Sequence, residues 1–295
     1  MKIAVCYYGR PGQYTDQFGN RKNVDLLELQ DMLLSVLDCK EVDFFAHCWH
    51  SSANNNVFNG MDLASSIVES QIDFSPDVLK WSNDFLSRKN LFYIFRQERK
   101  EVDFSTFMFN YKSRVKSRWY STLKSLELMN NYSKINKKKY DFVLLVRYDC
   151  VFKTKLNLKK LEANFIYLGS SSYYWRRRKN NFGKSSLINF IFISIVDFLR
   201  SDTSLFFSQP NFYTSITSLF SLNPVHLSDP FILASQENIM VFSEMYEECN
   251  KYLPSPHSSI YEHLVRLDMS KDIRFYLTQW EDYDLYRQLP QYPIT

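Results

Sequence analysis

Two apolar runs frame the first fifty or so residues and restrict the fold more than any other feature of the chain. Residues 2–8 read KIAVCYY and residues 42–49 read VDFFAHCW. A run with little polar alternation suits a strand covered on both faces, as in a parallel sheet. Between the two runs, Leu26, Leu29, Leu33 and Val36 recur near the helical period, which predicts one apolar helix face, with Asn23 as its N-cap. Strand, helix and strand in this order predict a βαβ unit, and with it an α/β fold built on a mostly parallel central sheet flanked by helices.

The rest of the chain extends that pattern. Gly9-Arg10-Pro11-Gly12 closes the first strand as a turn. Residues 50–75 are polar and read as a long loop or a small insertion, and residues 91–96 as a further strand. A long helix follows, with Tyr111, Val115, Trp119, Leu126 and Met129 on one face and Lys112 and Lys116 on another. Lys137-Lys138-Lys139 suits the negative end of its dipole. The strongest strand is 140–146, YDFVLLV, which runs into Arg147-Tyr148-Asp149. A second half starts near Phe165 and carries Ser228-Asp229-Pro230-Phe231, a helical stretch over 238–253, and Tyr261-Glu262-His263-Leu264. With no internal repeat and no long linker, one domain over 1–295 is expected, with a ligand-binding half at 1–155 and a second half at 156–295.

Composition narrows the function classes. At 295 residues and 45% hydrophobic, the chain is long enough to bury a sizeable core. The net charge of +4 permits an anionic ligand and does not require nucleic acid. Phe (25) and Tyr (20) far outnumber Gly (6). Codon bias of an AT-rich genome accounts for part of this, and aromatic lining of a sugar or base pocket is the other source. Cys6, Cys39, Cys48, Cys150 and Cys249 form no metal spacing and no disulfide framework. Buried free thiols in a reducing, cytoplasmic setting fit them best (host cytoplasm for a phage-encoded chain). No targeting segment is visible at MKIAVCYYGR. Residues 187–199 (LINFIFISIVDFL) are apolar but short and contain Asp197, so a buried element or a peripheral membrane contact is expected there rather than a span.

Arg147-Tyr148-Asp149 carries the clearest chemistry. Polar groups at the carboxyl end of a buried strand occupy the position where α/β folds bind ligands. Asp149 can hold a hard divalent cation such as Mn²⁺ or Mg²⁺, and Arg147 can fork onto a phosphate or fix the carboxylate. The plain alternative is a structural Arg–Asp pair.

Several segments together resemble a family of small bacterial and viral (including phage) GT-A-like glycosyltransferases. Gly9-Arg10-Pro11 is similar to that family's first turn, and Val42-Asp43-Phe44-Phe45-Ala46-His47-Cys48-Trp49 to its Asp-Val-Phe-Ile-His-Thr-Trp strand. Tyr140-Asp141-Phe142 through Arg147-Tyr148-Asp149 matches a Tyr-Asp-apolar-Arg-x-Asp element, with Arg147 where the first carboxylate of an Asp-x-Asp metal motif would stand. Ser228-Asp229-Pro230-Phe231 matches a later Ser-Asp-x-Phe segment, and Glu262-His263-Leu264-Val265 approaches a Glu-x-x-Leu element with its Leu one place early. The resemblance spans roughly 1–267, and residues 51–90 and 170–225 depart from it.

The resemblance implies a Rossmann-like GT-A fold and a nucleotide-sugar donor as cosubstrate. Gly9 and Arg10 would lie by the nucleotide. His47 and Trp49 would face one side of the second strand, as donor contacts or as core residues, and Tyr120 and Lys124 would reach the donor from the long helix. Asp149 would be the metal ligand. Asp229, or secondly Glu262, would be the base that removes the acceptor proton. Pro230 aims Asp229 into a cleft, or Asp229 caps a helix starting near Phe231. Residues 175–184 (WRRRKNNFGK) read as a solvated loop or as an acceptor contact. The acceptor would be a glycan or lipid-linked glycan, such as lipopolysaccharide or capsule, or a 5-hydroxymethylated base of phage DNA. A non-catalytic nucleotide- or glycan-binding module and a nucleotidyltransferase are the competing classes, the latter lacking a Gly-rich, Lys-containing loop after the first strand.

Overall fold

The computed structural model describes residues 1–11, 13–15, 21–50, 57–74, 76, 104–170, 227–252, 256–278 and 282–285. The expected strand at 91–96, the basic segment at 175–184 and the apolar stretch at 187–199 lie outside them.

In chain order the elements are β1 (Lys2–Tyr8), β2 (Gln13–Thr15), β3 (Arg21–Asn23), α1 (Leu26–Val36), β4 (Glu41–His50), β5 (Ser65–Ser70), α2 (Phe104–Ile135), β6 (Phe142–Arg147), β7 (Cys150–Phe152), β8 (Ile166–Ser170), β9 (Leu227–Ala234), α3 (Gln236–Ile239), α4 (Met245–Glu248), α5 (Pro256–Arg266), β10 (Ile273–Thr278) and β11 (Tyr283–Leu285). Among the described residues, seven strands form one sheet in the order β10-β8-β9-β6-β1-β4-β5. β1 pairs in parallel with β4 and β6, β4 with β5, and β8 with β10. β9 alone is reversed, lying between β6 and β8. The expected α/β class with a mostly parallel sheet therefore holds, and strands from both halves of the chain build the same sheet.

The chain leaves β1 for β4 and β5 on one side and returns through α2 to β6 on the other. The strand order thus reverses between β1 and β6, and the crevice at their carboxyl ends is a topological switch point.

Alternating side chains divide the core into two layers. Ala4, Cys6, Tyr8, Phe45 and Trp49 pack with Trp119, Leu126 and Met129 of α2 and Ile260 and Leu264 of α5. Ile3, Val5, Tyr7, Phe44, Ala46 and Cys48 pack on the opposite face with Leu26, Leu29 and Leu33 of α1. Each such fully buried large side chain contributes about 1.5–3 kcal/mol by leaving water. All five cysteines are free, with Cys39 the only one not fully buried.

Three local expectations fail. Asn23 is not the N-cap of α1: it ends β3, and the Asp25 carboxylate accepts from the amides of Leu27 and Glu28 instead. Residues 50–75 are not simply loop, because 65–70 form the edge strand β5. Phe231 does not open a helix: it lies inside β9, where strand pairing to β6 and β8 sets the conformation. Lys112 and Lys116, on the helix face distinct from the apolar stripe, are nevertheless buried, with Lys116 Nζ 5.1 Å from the centroid of the Tyr246 ring.

Candidate functional site

The site grows from the carboxyl ends of β1, β4 and β6. β1 stops at Gly9, whose φ of +105° lies in a region that side chains with a Cβ rarely adopt. The Gly9 amide donates to Ser121 Oγ of α2 at 2.6 Å. Its carbonyl accepts from the Trp49 amide at 3.4 Å. Arg10 follows, exposed to solvent.

β6 ends in the pair predicted from sequence. Arg147 Nη2 donates to Asp149 Oδ2 at 2.8 Å, and the side chains are 26% and 6% exposed. The carboxylate is thus the inner partner and the guanidinium the outer one. Between them the Tyr148 ring is buried, and its hydroxyl donates to the His47 carbonyl at 3.0 Å. β9 approaches the same edge from the other direction. Phe231 pairs with Val146 and the strand is antiparallel, so the backbone of Asp229, two residues earlier, emerges where β6 runs into Arg147.

His47 sits at the centre of this edge. Its ring is fully buried, with Nδ1 2.7 Å from Ser121 Oγ and Nε2 3.2 Å from Glu69 Oε2. Glu69 Oε2 also accepts from the Tyr120 hydroxyl at 3.0 Å. These partners assign the tautomer. The carboxylate accepts, so Nε2 carries the proton, and Nδ1 accepts from the Ser121 hydroxyl. Burial holds the His47 pKa below the ordinary imidazole value, with the Glu69 hydrogen bond opposing that shift and Lys124 reinforcing it. Burial, with the Glu69 contact second, pushes the Tyr120 phenol up to about 12.

His47 and Trp49 do share one side of β4, but as packed residues. Their rings meet edge to face at 4.8 Å, and Trp49 stacks on Tyr120 at 5.2 Å. Tyr120 meets Tyr246 at 5.2 Å. Lys124 pairs with Glu127 at 2.9 Å and lies 5.5 Å from the Tyr120 ring centroid. Tyr120 and Lys124 are therefore both engaged by neighbouring side chains on the strand-end face.

Glu262 comes from a helix rather than from a strand end. It lies half-buried on α5, whose Ile260 and Leu264 enter the core beside Trp119. Its neighbour His263 contacts Tyr252 Oη and the Val241 carbonyl, both at 2.9 Å. Among the described residues no group of three or more His, Cys, Asp or Glu side chains is placed to hold a metal ion.

Sequence reasoning did not select Ser121 or Glu69. Ser121 is 112 residues from Gly9 and 74 from His47, so no local pattern links them. Two signals were present. A hydroxyl pair, Ser121-Thr122, interrupts the apolar face of α2, and Glu69 is the single charge in the strand SSIVES.

No protein-family model matches the chain, and no curated protein matches it either. Among the described residues no helix is long and apolar enough to cross a membrane.

Proposed function

We propose that the chain is a glycosyltransferase of the GT-A type that moves one sugar from a nucleotide-sugar donor to a hydroxyl acceptor. The observation that carries this reading is the meeting of Gly9-Arg10 with Arg147-Tyr148-Asp149 at the switch point between β1 and β6, where α/β sheets take phosphorylated ligands. The six parallel strands with one reversed neighbour, and the order of the segments that resemble the family, support it further.

In this reading the donor diphosphate lies against the Gly9 backbone, which offers close approach. Arg10 and Arg147 neutralise the charge that grows on the diphosphate as the bond from the anomeric carbon breaks. Asp149 aims Arg147 through their hydrogen bond. Asp229 takes the proton of the acceptor hydroxyl as the new glycosidic bond forms, and the nucleoside diphosphate leaves. Glu262, on α5, is the second candidate for that proton. His47, Trp49, Tyr120 and Lys124 form the wall behind the donor side.

A divalent cation, Mn²⁺ or Mg²⁺, belongs to the same proposal through Asp149. One carboxylate with an arginine already on its Oδ2 is a thin donor set for a hard ion, so no step here passes through a metal. The acceptor remains the hydroxyl of a surface glycan, free or lipid-linked, or of a hydroxymethylated base in DNA. A DNA acceptor requires retention on duplex DNA that falls steeply with salt.

The test is product analysis with a panel of UDP-, GDP- and dTDP-sugars and candidate acceptors. Transfer releases free nucleoside diphosphate. Pyrophosphate release would identify a nucleotidyltransferase instead, and binding without either product a non-catalytic module.

A further inference from the structure

We infer that Ser121, His47 and Glu69 form a positioning chain that sets the Gly9-Arg10 turn and locks it to the Arg147-Tyr148-Asp149 turn. The inference rests on the proposed donor role of those two turns. It assigns function to three side chains that never need to touch the donor.

Gly9 ends a strand, so its amide no longer has a ladder partner of its own and must be satisfied from elsewhere. Ser121 reaches it from α2 at 2.6 Å, and Trp49 holds the other side of the same residue through the Gly9 carbonyl. A glycine at φ +105° has many other conformations open to it, so these two bonds determine where Arg10 points. Ser121 Oγ accepts from Gly9 and donates to His47 Nδ1, which leaves its hydroxyl hydrogen a single direction. That direction exists only while Nδ1 is bare, and Nδ1 is bare because Glu69 holds the ring proton on Nε2. The same histidine receives the Tyr148 hydroxyl on its backbone carbonyl. One residue therefore ties the end of β1 to the end of β6, and a carboxylate on β5 sets its tautomer.

Protonation of His47 would place a hydrogen on Nδ1, so the Ser121 hydroxyl would have to turn, accept from both Nδ1 and the Gly9 amide, and give up the acceptor for its own hydrogen, which loosens the clamp. The groups facing this imidazole are Glu69 from β5 and Tyr120 and Lys124 from α2, with Tyr148 from beyond β6 on its backbone carbonyl.

Ser121→Ala and Glu69→Gln test the chain, each compared with the wild type in donor kinetics and in ligand-free amide exchange. With the UDP-, GDP- or dTDP-sugar that the wild type transfers, Ser121→Ala is expected to raise donor KM about tenfold, the size of one lost buried hydrogen bond, and Glu69→Gln, whose amide oxygen still accepts from Nε2, about threefold, with kcat at saturating donor held within about twofold in both. In Glu69→Gln the acid limb of donor kcat/KM moves to lower pH, because the carboxylate that favours protonated His47 is gone. A merely structural Glu69 would leave that limb in place. Without ligand, Ser121→Ala is expected to speed exchange of the Gly9 amide at least about tenfold while the Val5 amide, inside β1, is unaffected. Unchanged donor KM in both variants, with an active wild type, overturns the inference. A wild type that transfers no sugar overturns the function and leaves the chain to be judged by Gly9 exchange, where an unchanged rate refutes it. Should Ser121→Ala fail to fold, Glu69→Gln, at a half-exposed side chain, carries the kinetic, pH and exchange readouts alone.

Discussion

Arg147 Nη2 meets Asp149 Oδ2 at 2.8 Å across a single intervening residue whose ring is buried. The carboxylate is the enclosed partner and the cation the more exposed one. In the proposed reading Arg147 is the charge that faces the donor and Asp149 the group that aims it.

Arg147→Ala should therefore lower kcat/KM about 10²-fold or more, the usual cost of losing a preorganised charge at a leaving group. Arg147→Lys should recover only part of it, because a point charge lacks the planar fork. Asp149→Asn should give an intermediate loss. Steady-state kinetics on the three variants checks the order, and full activity in Arg147→Lys would contradict it.

Gly9→Ala should destabilise the fold and weaken donor binding together. A Cβ at Gly9 would meet nothing within 4 Å, so the cost is purely one of backbone conformation at φ +105°. About 1–3 kcal/mol is expected, read as a lower midpoint in urea, with donor KM raised in parallel. An unchanged midpoint would mean that the turn relaxes freely.

The strands that position this site were legible from sequence because each is buried on both faces. KIAVCYY, VDFFAHCW and YDFVLLV are apolar runs too short for a core helix and rich in β-branched and aromatic residues, which reads as strand. β5 was not legible: SSIVES alternates between half-buried and exposed positions at the sheet edge and carries little apolar weight. At Phe231, Ser-Asp-Pro offers a helix start as one of two readings, and only pairing with β6 and β8 decides against it. Asn23 and Asp25 are both good caps, and the choice fell to the residue whose carboxylate reaches Leu27 and Glu28. Within the site, the residues at strand ends could be named in advance. Ser121 and Glu69 could not, since their partners come from other elements of the fold.

Two buried histidines predict the acid side of the stability curve. His47 and His263 are fully buried, and burial holds both below the ordinary imidazole pKa. In the unfolded chain each titrates near the reference value of about 6.5. Below that pH the unfolded state takes up protons that the native state refuses, so stability falls as pH drops through about 6.5 towards the lower native values. Tm should decline between about pH 7 and pH 5, and His263→Gln should flatten the decline. A Tm that rises over this interval would contradict the assignment of neutral rings.

The two candidate bases separate by what they leave intact. Asp229→Asn should cut kcat about 10²-fold or more while donor binding, measured by calorimetry, is retained. Glu262→Gln, at the second candidate on α5, should change kcat by less than about threefold. The opposite ranking would move the base to α5.

The central claim is that the crevice between β1 and β6 binds a nucleotide sugar, and a thermal-shift screen tests it most directly. Wild-type protein is heated with UDP-, GDP- and dTDP-sugars, each with and without Mn²⁺. A donor present at about one hundred times its Kd should add about 2.7 kcal/mol of stability and raise Tm by several degrees. At least one nucleotide sugar should produce that shift, and Arg147→Ala should reduce it. No shift with any nucleotide sugar, with or without the cation, would contradict the account.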